Sequence, residues 1–203
     1  MRTTPILDSL HFLIGNTPDH QSLGSSSLLL VLLYAALLVG SVAIGAVTYA
    51  RDAGQRNARS VTIWLCRLLI GTMWFQGALW KLPLPVSGGF QYWTQQLADN
   101  SANAWHAGLV RDVLLPNIKL LDPAVYTLET AMAVSLMLGI GVRLMGLVGL
   151  AFMANLWIGL YHNDGEWPWN YVFAGMLHLF FSMDRAGACL GLDTWLWGKR
   201  LRS

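Results

Sequence analysis

Residues 26–50 read SSLLLVLLYAALLVGSVAIGAVTYA, a run without one charged side chain. A helix needs about 20 mostly apolar residues to cross a bilayer, whose hydrocarbon offers the backbone no hydrogen-bond partner. The run exceeds that length, so it reads as a membrane-crossing helix. The rest of the composition agrees. The chain of 203 residues is 55% hydrophobic and 12% charged, with a mean hydropathy of +0.46. Soluble domains carry about 25% charge, so an ordinary water-soluble globule is excluded. Disorder is excluded as well, since it needs low hydrophobicity and high net charge. A net charge of +2 gives no basic face for nucleic acid. Two cysteines make no disulfide framework. Ten tryptophans suit the aromatic belts of a membrane protein.

Four further spans are expected after the first: Val61 to Leu82, Ala124 to Val142, Arg143 to His162, and the short Trp167 to Met183. Gly139 and Gly141 make the turn between the third and fourth. The expected fold is an all-α polytopic membrane bundle. Residues 1–25 contain Asp8, Pro18 and Asp19 and lack a strongly basic start, so they read as a retained tail and not a signal peptide. Within that tail Ile6 to Gly15 is a short apolar piece suited to the interface. Basic residues set the orientation. With the N-terminus outside, Arg51, Arg56, Arg59, Arg143, Arg185, Lys199, Arg200 and Arg202 face inward. Arg2, Lys81, Arg111 and Lys119 face outward. The basic tail 194–203 then meets anionic headgroups on the cytoplasmic side. The outer loop 83–123 holds two amphipathic stretches, Gln91 to Asn100 and Ala104 to Leu115. Phe90, Trp93 and Leu97 share one face, and Trp105, Leu109 and Val113 share another. Such helices lie flat at a surface, as a cap over the bundle or a lid over a site.

Ionisable residues inside spans cost about 2.5–3.5 kcal/mol on insertion scales and are functional candidates by default. At about 1.5 Å per residue, Glu129 lies about 8 Å below the outer surface, with Gln76 level with it. Lys81 sits nearer the outer edge, and Arg67 about 9 Å above the inner surface. Asn155 and His178 fall near the midplane. His162, Asp164 and Glu166 stand at the outer face, within the polar and aromatic stretch HNDGEWPW (162–169), where they are candidates for handling protons. Arg67, Gly71, Trp74, Ala78 and Lys81 follow a spacing of four, three, four and three, one stripe of the second helix. Structural readings stand beside the functional ones: Lys81 as an interface anchor, Arg67 as a cap on a neighbour's carbonyls, His178 as an interhelical hydrogen bonder. One midplane histidine does not make a bis-histidine haem site. Neither a metal-spaced histidine pair nor a nucleotide, flavin or thiol motif is present, so no metal or flavin is expected.

Three segments together resemble the DoxX-like membrane proteins. RLLIGTMWFQGALWKL (Arg67 to Leu82) looks like the opening helix of that family, with Gly77 to Lys81 matching its G-x-x-K-like turn with one extra residue. LETAMAVSLMLGIGVRLMGL (Leu128 to Leu147) looks like its second signature: an acid, a leucine-rich run, a glycine turn and an arginine. GEWPWNYVFAGMLHLFFSMDRAGACLGLD (Gly165 to Asp193) resembles its end, with the A-G-x-x-x-x-L-D stretch. The resemblance covers about residues 59–193 and leaves the helix 26–50 as an addition to a four-helix core. It is strongest to the DoxD branch, the membrane subunit of thiosulfate:quinone oxidoreductase. That branch implies electron transfer from thiosulfate to quinone, tetrathionate as product, a separate partner subunit, and a bacterial or archaeal cytoplasmic membrane.

A quinone substrate needs an apolar slot with a few hydrogen-bond partners and a proton acceptor. Trp74, Phe75, Met132, Met153 and Trp157 are candidates for the slot. Glu129 and His178 are candidate proton groups, and Lys81, Arg111 and Lys119 are cations for a dianion. The candidate set is therefore Glu129, Lys81 and His178 for chemistry, with Arg67, Trp74, Gln76, Asn155 and His162 for substrate. Two other classes compete. One is a non-catalytic accessory or scaffold subunit of a larger energy-transducing membrane complex. It draws on Ser41 and Gly45, a small-xxx-small packing face on the first span. The other is a small-solute transporter, disfavoured because no internal repeat or broken helix is evident.

Overall fold

The computed structural model describes residues 4–13 and 26–197. The basic tail residues Lys199, Arg200 and Arg202, and most of the tail 1–25, lie outside the described residues. Among the described residues all regular structure is helical. The helices are α1 (Pro5–Leu13), α2 (Ser26–Arg51), α3 (Ala58–Leu79), α4 (Gly88–Asp99), α5 (Ala104–Leu109), α6 (Ile118–Leu138), α7 (Val142–Gly159), α8 (Trp169–Met183) and α9 (Asp193–Trp197). Three of them, α2, α3 and α7, are long and apolar enough to cross a membrane. α6 has 21 residues but carries Lys119, Asp122, Pro123 and Glu129. α8 has 15 residues, about 22 Å of helix against about 30 Å of hydrocarbon.

The chain divides into two compact units. The first comprises residues 1–80, 129–142 and 185–203. Its helix ends are fixed locally. Arg56 caps the end of α2, donating Nε to the Tyr49 carbonyl (2.9 Å) and Nη2 to the Ala50 carbonyl (2.6 Å). Asn57 opens α3 by accepting from the Ser60 amide at 2.9 Å. Along α2, Ser41 Oγ donates to the Met137 carbonyl (2.6 Å) and accepts from Trp64 Nε1 (3.1 Å). A methyl group added at Gly45 would sit 3.5 Å from the Trp64 ring. The Ser41–Gly45 face is therefore filled by this chain's own indole. Tyr34 Oη and Thr72 Oγ1 share a hydrogen bond at 3.0 Å, and the Tyr34 and Phe75 rings meet at 5.3 Å. The stripe Arg67, Gly71, Trp74, Ala78 of α3 is buried throughout, as its spacing predicts.

The second unit comprises residues 81–128 and 143–184. Both amphipathic stretches of the loop are helical. Ser87 caps α4, accepting from the Phe90 amide at 3.0 Å. α5 continues through a π turn (Val110–Leu114) and a 3₁₀ turn (Leu115–Asn117) into α6. α6 thus starts six residues before the expected Ala124. Pro123 lies inside it as the sixth residue, where a proline has no amide to give to the carbonyl four residues before it. α7 and α8 cross closely. A methyl group at Gly149 would collide with the His178 ring, and Gly175 faces Leu150 and Met153. Small residues let two helices approach closely in this way. We expect Gly149→Ala to displace His178 and destabilise the protein by about 1–3 kcal/mol, read as a lower melting temperature in detergent, with Gly159 and the α4–α5 region retaining native protease resistance.

Candidate functional site

Arg67 is completely buried. Its Nη1 donates to the Leu136 carbonyl (3.0 Å) in the last turn of α6, and its Nη2 to the Cys189 carbonyl (2.8 Å). Those carbonyls have no helical partner of their own. The guanidinium passes so close to Gly139 that any side chain there would meet it. Gly139 and Gly141 both take positive φ, 72° and 62°, the left-handed conformation glycine adopts without penalty. Asp193 completes the arrangement. Its Oδ1 accepts from the Gly141 amide (2.9 Å) and its Oδ2 from the Val142 amide (3.4 Å), at the start of α7. An acid there also complements the helix dipole. Leu190, at φ 52°, gives its amide to Gln55 Oε1 at 3.3 Å. Arg67, the glycine turn and the stretch Ala186 to Asp193 come from three separate parts of the sequence, and in the fold they form one polar knot.

Two candidates on α3 and α6 stand apart from that knot. Gln76 is 7% exposed, and its Oε1 has no hydrogen-bond partner. Glu129 is 4% exposed. Trp74, Phe75 and Met132 are buried in the same unit. An amide oxygen buried without a donor costs roughly 1–3 kcal/mol, so Gln76 suits a ligand that brings a hydroxyl.

The remaining candidates fall in the second unit. Lys81 is 2% exposed. Asp122 is fully buried and accepts from the Ser87 amide at 2.8 Å through Oδ2. Burial pushes its carboxyl above the usual range, while the Ser87 amide and the Lys81 charge pull it back. His178 is buried with its ring against Gly149 and edge-on to Phe181 at 6.3 Å. Asn155 engages His106, a residue the sequence did not single out. His106 Nε2 and Asn155 Oδ1 lie 3.1 Å apart, and His106 Nδ1 and Ser101 Oγ 3.0 Å. His106 is the polar member of α5's inner face, opposite Trp105 and beside buried Val110. His162 is exposed and gives its backbone amide to the Asn100 carbonyl at 3.0 Å. Glu166 accepts from Tyr171 Oη at 2.8 Å. Trp157 is exposed, whereas Met153 is buried.

The structure thus gathers Trp74, Gln76, Glu129 and Arg67 in one unit, and Lys81, Asn155, His162 and His178 in the other. Among the described residues no group of three or more His, Cys, Asp or Glu is placed to hold a metal ion. No protein-family model, curated protein or solved structure matches this chain.

Two outcomes follow from these contacts. Arg67→Met removes two charge-assisted bonds worth about 1.5–3 kcal/mol each and should abolish the monodisperse peak on size exclusion. Arg67→Lys should rescue it only partly, because one ammonium lacks the planar fork that serves two carbonyls. Asn155→Leu should leave the protein folded but raise amide exchange across residues 101–110 at least tenfold.

Proposed function

We propose that this chain is the membrane subunit of a quinone-linked oxidoreductase. The observation that carries the reading is the unpartnered Gln76 Oε1, buried on a membrane-crossing helix in the same unit as the buried acid Glu129. A quinol offers a hydroxyl donor to such an oxygen, and the carboxamide nitrogen serves the quinone carbonyl. Trp74, Phe75 and Met132 supply apolar surface for a ring. Glu129 exchanges a proton as quinone takes up two electrons and two protons.

The resemblance to DoxX-like proteins, and to the DoxD branch within it, supplies the donor. Two thiosulfate ions yield one tetrathionate and two electrons. Arg111 and Lys119, both exposed, are the cations that meet the dianion at the outer face, with a separate partner subunit delivering the electrons. In this reading α6 and α8 also span the bilayer, giving a four-helix core after α2. The N-terminus is outside and the C-terminus in the cytoplasm of a bacterial or archaeal cell, with the basic cluster Arg51, Arg56 and Arg59 on the inner side. The alternative, a non-catalytic accessory or scaffold subunit, rests on the added charge-free span α2, whose Ser41–Gly45 face is occupied by Trp64 of the same chain.

The test is purification in mild detergent followed by quinone extraction and thiosulfate-dependent quinone reduction. Bound quinone and measurable turnover are expected. Glu129→Gln should lower turnover at least tenfold while the protein still assembles. Gln76→Leu should lower quinone retention. A chain that purifies without quinone, bound stoichiometrically to a larger complex holding all the redox activity, overturns the proposal.

A further inference from the structure

The outer face of α5 and its continuation is apolar and uncovered. Trp105 is 65% exposed, Leu109 44%, Val113 48% and Leu120 75%. Four large apolar side chains on one short segment are unusual for a surface in contact with water. The inner face of the segment is occupied: Val110 is completely buried, and His106 engages Asn155.

The depth of the segment is fixed by what holds it. His106 bonds to Asn155 of α7. The Ala102 amide donates to the Ile158 carbonyl at 2.8 Å, and the His162 amide to the Asn100 carbonyl at 3.0 Å. All three contacts are at the C-terminal end of α7, and α7 is one of the helices fit to cross a membrane. Its 18 residues span about 27 Å, close to the thickness of the hydrocarbon layer. The end of α7 therefore stands at the boundary between acyl chains and headgroups. Around that end Trp157, Tyr161, Trp167 and Trp169 are also exposed. These are the residue types that favour this boundary, because a large apolar ring there keeps a polar edge in the wet layer. Arg111, whose side chain is 58% exposed and pairs with Asp99 at 3.7 Å, and exposed Lys119 flank the stripe with cations that reach phosphates.

We infer that the segment Ala104–Leu120 is an interfacial lipid-binding element, with Trp105, Leu109, Val113 and Leu120 inserted among the acyl chains next to α7. The occupant of this face is the bilayer itself. A partner subunit or a second copy would have to cover a stripe continuous with a membrane-crossing helix at its lipid boundary. The inference does not depend on the redox reading and stands or falls separately from it.

The experiment places an environment-sensitive fluorophore at Leu109→Cys and Val113→Cys, with Asp164→Cys as the aqueous reference. Cys66 and Cys189 are replaced by alanine, and the full chain is reconstituted in phosphatidylcholine–phosphatidylglycerol nanodiscs. Blue-shifted emission and at least threefold stronger quenching by shallow doxyl lipids at 109 and 113 than at 164 are expected. Quenching by aqueous iodide equal to that at 164 overturns the proposal. Protection from both quenchers also overturns it, since a protein then covers the stripe. If the cysteine-free background is unstable, brominated lipid is applied to the native chain. Trp105→Phe should then reduce the quenched fraction of tryptophan emission, and an unchanged fraction counts against insertion.

Discussion

The first unit depends on a cation placed where water cannot reach it. Arg67 sits on a helix fit to cross a membrane, and it is completely buried. Its two Nη groups tie the end of α6 to the loop that follows residue 185. Burying a guanidinium is unfavourable unless its donors are matched. Here the matching groups are carbonyls that a terminating helix and an irregular loop leave open. Asp193 lies near enough to act on Arg67 electrostatically while accepting from two amides at the start of α7. One acid and one base thus serve the end of one helix and the beginning of the next. The left-handed glycines between them follow from that requirement: the chain must reverse within three residues, and at Gly139 the guanidinium occupies the space a side chain would need.

The second unit is held differently. Beside the Asp122–Ser87 contact and the Arg111–Asp99 pair, many of its loop contacts are neutral: Ser101 to His106, His106 to Asn155, Asn163 and Asn100 to Gln96. Neutral hydrogen bonds contribute about 0.5–1.5 kcal/mol each. A region assembled from such bonds opens locally at lower free energy than one closed by buried charge. A long loop joined to the end of a membrane helix by these contacts is fixed in depth yet free to loosen, and either a cap or a lid would use that property.

Much of this was legible in the sequence because hydrocarbon imposes simple rules. The charge-free run 26–50, the buried stripe from Arg67 to Ala78, the glycine turn and the two amphipathic loop helices all follow from periodicity or φ requirements. The early start of α6 was not legible, since Pro123 looks like a boundary, whereas the chain runs into the helix directly from the π and 3₁₀ turns before it. His106 was missed for a related reason. A histidine next to a tryptophan on a polar loop signals nothing until the opposite face of its helix is known to be buried. The Ser41–Gly45 face was read correctly as a packing surface, but sequence alone cannot say whether the indole filling it comes from the same chain.

The buried polar side chains of the helices can be sorted by what they bond. Arg67 holds two carbonyls, and the Arg67 stripe is accounted for by packing. Ser41 holds a carbonyl and an indole. His178 fits the close crossing of α7 and α8 and is explained by Gly149. Asn155 anchors the loop through His106. Each of these has a structural role sufficient to explain its burial. Gln76 Oε1 is buried and has no donor, a state it shares with Arg67 Nε and Asp122 Oδ1, but the Gln76 carboxamide has no structural contact to account for it. An amide that serves only packing would be replaced by leucine or methionine of similar volume at no loss, since a buried polar atom without a partner lowers stability. In the proposed reading that oxygen accepts from a quinol hydroxyl, and Glu129 of the same unit is the proton group.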